Sequence, residues 1–302
     1  MNKLITKIGN LQFENPTILA SGIMGEDAGS MNRIIASGAG GIVTKSIGII
    51  PRTGYPNPTF VELEHGLLNA MGLPNPGIDA FSEELQQLTK TKTPIIGSIY
   101  GANSEEFINL AQKMESYKVD AIELNVSCPH AKRFGLEVGS DPVLLQEITN
   151  AVKQSVHIPV FVKLSPNVTS IADIASAAEK GGADAIVAIN TVKAMKINIE
   201  LQRPILANKI GGYSGKAIKP IGVRCVYEIA ERVQIPIIGA GGITDGKDVI
   251  EYIMAGATAV QIGSAVYYRD IDVFKKICNE CTTWLHEHNV KKLSELVGVA
   301  HT

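Results

Sequence analysis

Residues 104–129 read SEEFINLAQKMESYKVDAIELNVSCP. The first half has a helical period: Phe107, Leu110, Ala111 and Met114 fall on one stripe, and Ser104-Glu105-Glu106 opens it as a cap. Ala121-Ile122-Glu123-Leu124 follows, a short run that barely alternates, as expected of a strand buried on both faces of a parallel sheet. A polar segment, Asn125-Val126-Ser127-Cys128-Pro129-His130, comes next. Helix, strand and polar loop make one unit.

The unit recurs in both directions along the chain. Similar apolar runs stand at 17–20, 41–44, 94–97, 159–162, 185–188, 235–238 and 259–262. The segments 170–180 and 245–255 have the helical period again. SGAGGIV, YKVDAIEL, GGADAIVA and AGATAVQI are weak echoes of one helix-to-strand turn. Eight strands alternating with helices predict an α/β fold, a (β/α)₈ TIM barrel, with a doubly wound sheet as the alternative. Residues 3–16 read as a short N-terminal hairpin turning at Gly9-Asn10 and capping the barrel bottom. The segments 51–92 and 192–219 exceed ordinary loops and read as extended top-face loops. No linker or low-complexity run interrupts residues 1–302, so a single domain is expected.

Composition narrows the function. The 302 residues carry 28 Lys+Arg against 30 Asp+Glu, without the basic excess of a nucleic-acid surface. The longest charge-free stretch, 252–268, is broken by Gly256, Gln261, Gly263 and Ser264, so no membrane span is expected. The N-terminus has no unbroken apolar core of a secretory signal, and four Cys make no disulfide framework; both point to the cytoplasm.

Barrel enzymes carry their sites at the C-terminal strand ends. Those ends hold Ser21-Gly22, Lys45-Ser46, Asn125 to His130, Lys163, Asn190-Thr191, Gly241-Gly242 and Gly263-Ser264. The glycine turns after the seventh and eighth strands suit a phosphate cradle, with backbone N–H groups offered at a helix start near Thr244-Asp245. Gly38 to Gly41 precedes its strand and serves only packing. No GxGxxG fingerprint is present, so a Rossmann NAD site is not expected. Cys128 lies in a polar, proline-stiffened loop, where it is either an acid/base or nucleophile, or inert packing. Cys278-x-x-Cys281 is a lone pair, short of the four ligands of a zinc or iron–sulfur site, so no metal is expected. Cys225 reads as helix packing, and His286 and His288 as solvated residues.

The most specific stretch is Asn69-Ala70-Met71-Gly72-Leu73-Pro74-Asn75-Pro76-Gly77, a rigid loop suited to a small planar polar ligand. Together with N-V-S-C-P (125–129), V-K-L-S-P-N (162–167), Asn190-Thr191 and P-I-L-A-N-K-I-G-G-Y-S-G-K-A-I-K-P (204–220), it resembles the dihydroorotate dehydrogenases over residues 8–265. The resemblance implies an FMN-dependent barrel that oxidises dihydroorotate to orotate in pyrimidine synthesis. A Cys at 128 and no membrane extension resemble class 1, and the 204–220 stretch resembles its B type. That type implies a homodimer associated with an FAD and iron–sulfur subunit, with NAD⁺ as final acceptor.

Carried onto this sequence, the resemblance makes Cys128 the base for the C5 proton, with FMN taking the C6 hydride. It assigns FMN to Ser21, Lys45, Ser46, Asn125, Lys163, Ile189, Gly215, Gly241, Gly242, Gly263 and Ser264. It assigns the substrate to Lys45, Asn69, Ala70, Met71, Gly72, Leu73, Asn125, Asn190 and Thr191. Lys163 would stabilise anionic reduced flavin. Two departures stand out: His130 replaces a family Asn, as in the related dihydropyrimidine dehydrogenases, and Ser98 replaces a frequent Asn. The alternatives are therefore a uracil or thymine dehydrogenase, a fumarate-using A-type enzyme, a flavin-free phosphate-binding barrel isomerase or lyase, and a non-catalytic subunit.

Overall fold

The structure, a computed structural model, describes residues 3–88, 91–126 and 138–301. The chain opens with an antiparallel hairpin of β1 (Thr6–Ile8) and β2 (Leu11–Phe13), turning at Gly9-Asn10 as predicted. Then follow β3 (Thr17–Leu19), α1 (Ala28–Ala36) and β4 (Gly41–Val43). The first long excursion contains β5 (Phe60–Leu63), β6 (Gly66–Asn69) and α2 (Ile78–Gln86). The middle of the chain gives β7 (Ile95–Ile99), α3 (Ser104–Ser116), β8 (Ala121–Asn125), α4 (Pro142–Ser155), β9 (Val160–Leu164), α5 (Ile171–Lys180) and β10 (Ala185–Ala188). The second excursion holds β11 (Val192–Ala194), β12 (Ile197–Asn198), β13 (Arg203–Pro204) and β14 (Gly211–Ser214), and ends in α6 (Lys219–Ala230). The chain closes with β15 (Ile237–Ala240), α7 (Gly246–Met254), β16 (Ala259–Ile262), α8 (Ala265–Arg269) and α9 (Val273–Glu287).

Strands β3, β4, β7, β8, β9, β10, β15 and β16 pair in that order, all parallel, and β16 returns to β3 to close the barrel. These are the eight predicted strands, with one systematic shift. Three of them begin one residue later than, or just past, a proline: β7 after Pro94, β9 after Pro159 and β15 after Pro236. Proline has no N–H to give the ladder. Its carbonyl still serves, accepting from Ile42, Ile122 and Ile186 respectively at 2.8–3.0 Å. The cap of α3 also moves: Asn103, not Ser104, accepts from the Glu106 N–H. The predicted stripe of Phe107, Leu110, Ala111 and Met114 is buried.

Inside the barrel, alternate residues face the axis. The lowest inward residues are Ile18, Val43, Ile96, Ala121, Phe161, Ala185, Ile238 and Ala259, and the hairpin's Ile8 and Phe13 join this apolar cluster as a plug. Two residues further along several strands, the inward position turns polar: Ile96 gives way to Ser98, Ala121 to Glu123, Phe161 to Lys163 and Ala259 to Gln261. All four polar residues are buried. The barrel is thus an apolar base under a polar upper layer. A second, larger apolar cluster fills the space between strands and helices.

The two long excursions, read from sequence only as loops, form a further sheet. Its order is β11-β14-β6-β5, all antiparallel. Gly212 stands opposite Asn69 in that register, which brings residues 192–214 against residues 60–69. Among the described residues no helix is long and apolar enough to cross a membrane.

Candidate active site

A cavity of ≈ 630 Å³ opens at the C-terminal end of the barrel, within the usual range for a small-molecule site. Lys163 and Gln261 of the polar layer form its floor, with Glu123 and Ser98 behind them. Lys163 Nζ donates to Gln261 Oε1 at 2.8 Å, and Gln261 Nε2 donates to Glu123 Oε2 at 2.5 Å. The Lys163 ammonium and the Glu123 carboxylate stand 4.0 Å apart. Beside them, Ser46 Oγ lies 3.0 Å from Ser21 Oγ and 2.9 Å from Ser98 Oγ, and accepts from Asn125 Nδ2 at 3.0 Å. Asn190 Nδ2 approaches Asn125 Oδ1 at 3.5 Å, and its own Oδ1 accepts from the Thr191 N–H at 2.8 Å. Lys45, in the cavity wall, pairs with the exposed Glu26 at 3.6 Å.

One wall is the loop 69–77. Its shape is fixed by Asn75, a buried amide with four partners. Oδ1 accepts from Gly77 N at 2.9 Å and Gly48 N at 3.2 Å, while Nδ2 donates to Leu73 O at 2.9 Å and to Tyr100 Oη at 2.8 Å. Gly72 has φ +74°, and a Cβ there would lie 2.6 Å from the Tyr55 nitrogen, so only glycine fits. Asn69 reaches across the upper sheet, its Nδ2 3.4 Å from Gly212 O. Asn167 fixes the opposite wall by donating to Thr191 O and accepting from the Lys193 N–H at 2.9 Å.

The far side is built by the turns after β15 and β16. The predicted donors at the start of α7 are already taken. Asp248 Oδ2 accepts from the N–H groups of Thr244 and Asp245, Asp245 from Lys247 and Asp248, and Glu280 from Gly246. Lys219 completes this cluster, donating to Asp248 at 2.8 Å and Glu251 at 2.6 Å. Burial alone would raise the Asp248 carboxyl, but Lys219 and Thr244 outweigh it and hold it below the usual range. The amides left without a hydrogen bond among the described residues include Gly242 and Ser264, in the two expected glycine turns, and Ile243 between the first turn and α7. A Cβ on Gly242 would come within 2.7 Å of Gly215 O and of the Lys219 nitrogen. These bare amides suit an anionic group such as a phosphate.

The cavity brings together Ser21, Lys45, Ser46, Asn69, Ala70, Met71, Gly72, Leu73, Asn125, Lys163, Ile189, Asn190, Thr191, Gly241, Gly242, Gly263 and Ser264. Gly215 is not in its wall. It stands behind the Gly242 turn, with its carbonyl against that glycine. Cys128 and His130 lie outside the described residues. Sequence reading passed over Glu123, Gln261, Asn75 and Asn167. Glu123 and Gln261 carried a signal: each is a lone polar residue inside an otherwise apolar strand run. The remaining thiols look inert, since burial pushes Cys225 and Cys278 up to about 11 and Cys281 higher still. No group of three or more potential metal ligands occurs among the described residues.

Comparison with known proteins gives a consistent result. The family model described as dihydroorotate dehydrogenase matches residues 3–285. A protein of Methanocaldococcus jannaschii is 55% identical over 302 residues, covering 99% of this chain and 98% of its own. A Thermoplasma volcanium protein is 52% identical over 300 residues, covering 99% of each chain. A Pyrococcus horikoshii protein is 51% identical over 297 residues, covering 98% of this chain and 97% of its own. All three bear the name "dihydroorotate dehydrogenase B (NAD(+)), catalytic subunit".

Proposed function

The chain belongs to the dihydroorotate dehydrogenase family, and from that premise we propose that it oxidises dihydroorotate to orotate as the FMN-bearing catalytic subunit of an NAD⁺-linked enzyme. Residues 1–302 act as one barrel domain in the cytoplasm. The observation that carries this reading is the composition of one cavity: a lysine floor, a wall of backbone and amide groups, and bare amides at the far side.

FMN fits these residues. Its phosphate would be held by the Gly242, Ile243 and Ser264 amides, which have no other partner among the described residues. Lys163, Ser46 and Asn125 would hold its ring, and FMN would supply the hydride-accepting chemistry. Lys163 supplies a fixed positive charge where negative charge gathers on reduction. Asn69, Asn190 and Thr191, with the backbone of 70–73, offer the mixed donors and acceptors that a pyrimidine ring requires. Lys45 adds a cation for the substrate carboxylate. Cys128, three residues past Asn125 in sequence, is the base that removes the C5 proton.

The test is anaerobic. Dihydroorotate should bleach the flavin absorbance of the purified yellow protein, and dihydrouracil should not. Bleaching by dihydrouracil alone would replace this reading with a dihydropyrimidine dehydrogenase, the alternative that His130 raises. A colourless protein that binds no FMN would point to a flavin-free barrel enzyme.

A further inference from the structure

Glu123 is the most deeply buried charged side chain of the barrel, fully shielded from solvent, and it does not touch the cavity. A carboxylate there is costly unless its acceptors are all used. They are used in two directions. Oε2 accepts from Gln261 Nε2, and Oε1 accepts from Ser98 Oγ at 3.4 Å. Each bond fixes the donor sense of a chain that ends in the cavity wall. Because the Gln261 NH₂ faces Glu123, its carbonyl must face Lys163, and the ammonium is pinned there at 2.8 Å. Because the Ser98 hydroxyl proton goes to Glu123, its oxygen must accept from Ser46. The Ser46 proton is then spent, so its oxygen accepts from Ser21 and from Asn125.

We infer that Glu123 is a positioning residue, acting through Gln261 on Lys163 and through Ser98 on Ser46, and that its negative charge sets how strongly the cavity floor favours a reduced, anionic flavin. This rests on the flavin reading above. A plain core ion pair would pack equally well with the amide of Gln261 turned either way. Here a single acceptor orders two chains that converge on one wall, and those chains contain four of the residues assigned to the cofactor.

Two variants separate charge from packing. Glu123→Gln keeps the shape and removes the charge. The double variant Glu123→Gln with Gln261→Glu moves the carboxylate into direct contact with the Lys163 ammonium. The readout is the midpoint potential of the bound flavin in the purified holoenzyme. Glu123→Gln should favour the reduced form roughly tenfold, the order expected for one charge removed several Å away at an effective dielectric of about 20. That corresponds to a rise of about 30 mV for a two-electron couple. The double variant should fall below the parent. An unchanged potential in a flavin-bearing Glu123→Gln protein overturns the inference. If that variant holds no flavin, the double variant decides, and a potential at or above the parent overturns it. Loss of flavin from both variants makes the pair mere packing and likewise overturns it. A parent protein without flavin defeats the flavin reading itself, and this inference with it.

Discussion

Asn125 Nδ2 donates to Ser46 Oγ at 3.0 Å, tying together the ends of two barrel strands whose residues lie 79 positions apart in sequence. Ser46 is the junction of the cavity floor, since Ser21 and Ser98 meet the same oxygen. Replacing it with alanine strands three polar groups at once. Ser46→Ala should weaken FMN binding to the apoprotein about 5- to 30-fold, the cost of one or two net hydrogen bonds. Fluorescence titration measures this, and an affinity within twofold of the parent would remove Ser46 from the cofactor site.

Asn75 makes a different kind of contribution, because it touches only protein. Three of its four hydrogen bonds are buried and the one to Leu73 half-buried, so Asn75→Ala removes a bond from each of Gly48, Gly77, Leu73 and Tyr100. The expected loss is about 2–4 kcal/mol, or roughly 3–6 °C in Tm. The same loop carries residues 69–73, so KM for dihydroorotate should rise while FMN stays bound. A variant with the parent Tm and KM would show that the prolines alone hold the loop.

The cluster behind the Gly242 turn predicts acid sensitivity. Burial works against ionisation of Asp248 and Glu280, but Lys219 and Thr244 for the first, and Arg269 and the Gly246 amide for the second, hold both carboxyls below their ordinary values. A depressed carboxyl contributes stability that is fully present above its unfolded pKa of roughly 4 and is lost as pH falls through the folded value. Thermal stability should therefore fall below about pH 4. Asp248→Asn should lower Tm at pH 7 and flatten that acid limb. An unaltered slope between pH 5 and 3 would place the acid-labile groups elsewhere.

How far the sequence reveals this molecule depends on which interactions are local. Strand runs such as Ala185 to Ala188 and turns such as Gly9-Asn10 are written in adjacent residues, and the barrel and hairpin were legible from them. Most of the resemblance residues line the cavity: the fold brings the barrel strand ends to one rim, and the upper sheet carries 69–73 there, while Gly215 stands behind the wall. The upper sheet was not legible, since β6 pairs with β14 across 143 residues, as the Asn69–Gly212 contact shows. The start of α7 misled for a similar reason. Its amides look open in sequence, but Glu280 arrives from α9 to take one of them. The role of Asn75 was not legible, because nothing adjacent in sequence reveals that Gly48 and Tyr100 face it.

Cys128 carries the chemical step in the proposed mechanism, and the prediction for it comes from residue chemistry. A serine hydroxyl is a far weaker base than a thiolate near neutral pH. Cys128→Ser should keep FMN bound and slow its reduction by dihydroorotate by roughly 10²–10⁴-fold, the range for a lost general base. Stopped-flow absorbance of the flavin reads this directly. Reduction at the parent rate would assign the proton to another group.

The remaining prediction concerns where the electrons go. The relatives are named as catalytic subunits of an NAD⁺-linked enzyme, yet this sequence has no GxGxxG dinucleotide fingerprint and only four cysteines. An iron–sulfur cluster takes four thiolate ligands. Cys225, Cys278 and Cys281 are held as neutral thiols by burial, and Cys128 is assigned to catalysis. These features fit the proposed reading, in which electrons pass from FMN to NAD⁺ through a second subunit. On that reading they leave through a partner subunit carrying FAD and an iron–sulfur centre, docked over the top-face loops around the cavity. The isolated chain should transfer electrons from dihydroorotate to an artificial dye but form no NADH. Adding the flavin and iron–sulfur subunit should restore NADH formation. NADH produced by the pure chain alone would defeat the two-subunit reading, and efficient turnover with fumarate would move the protein to the A type.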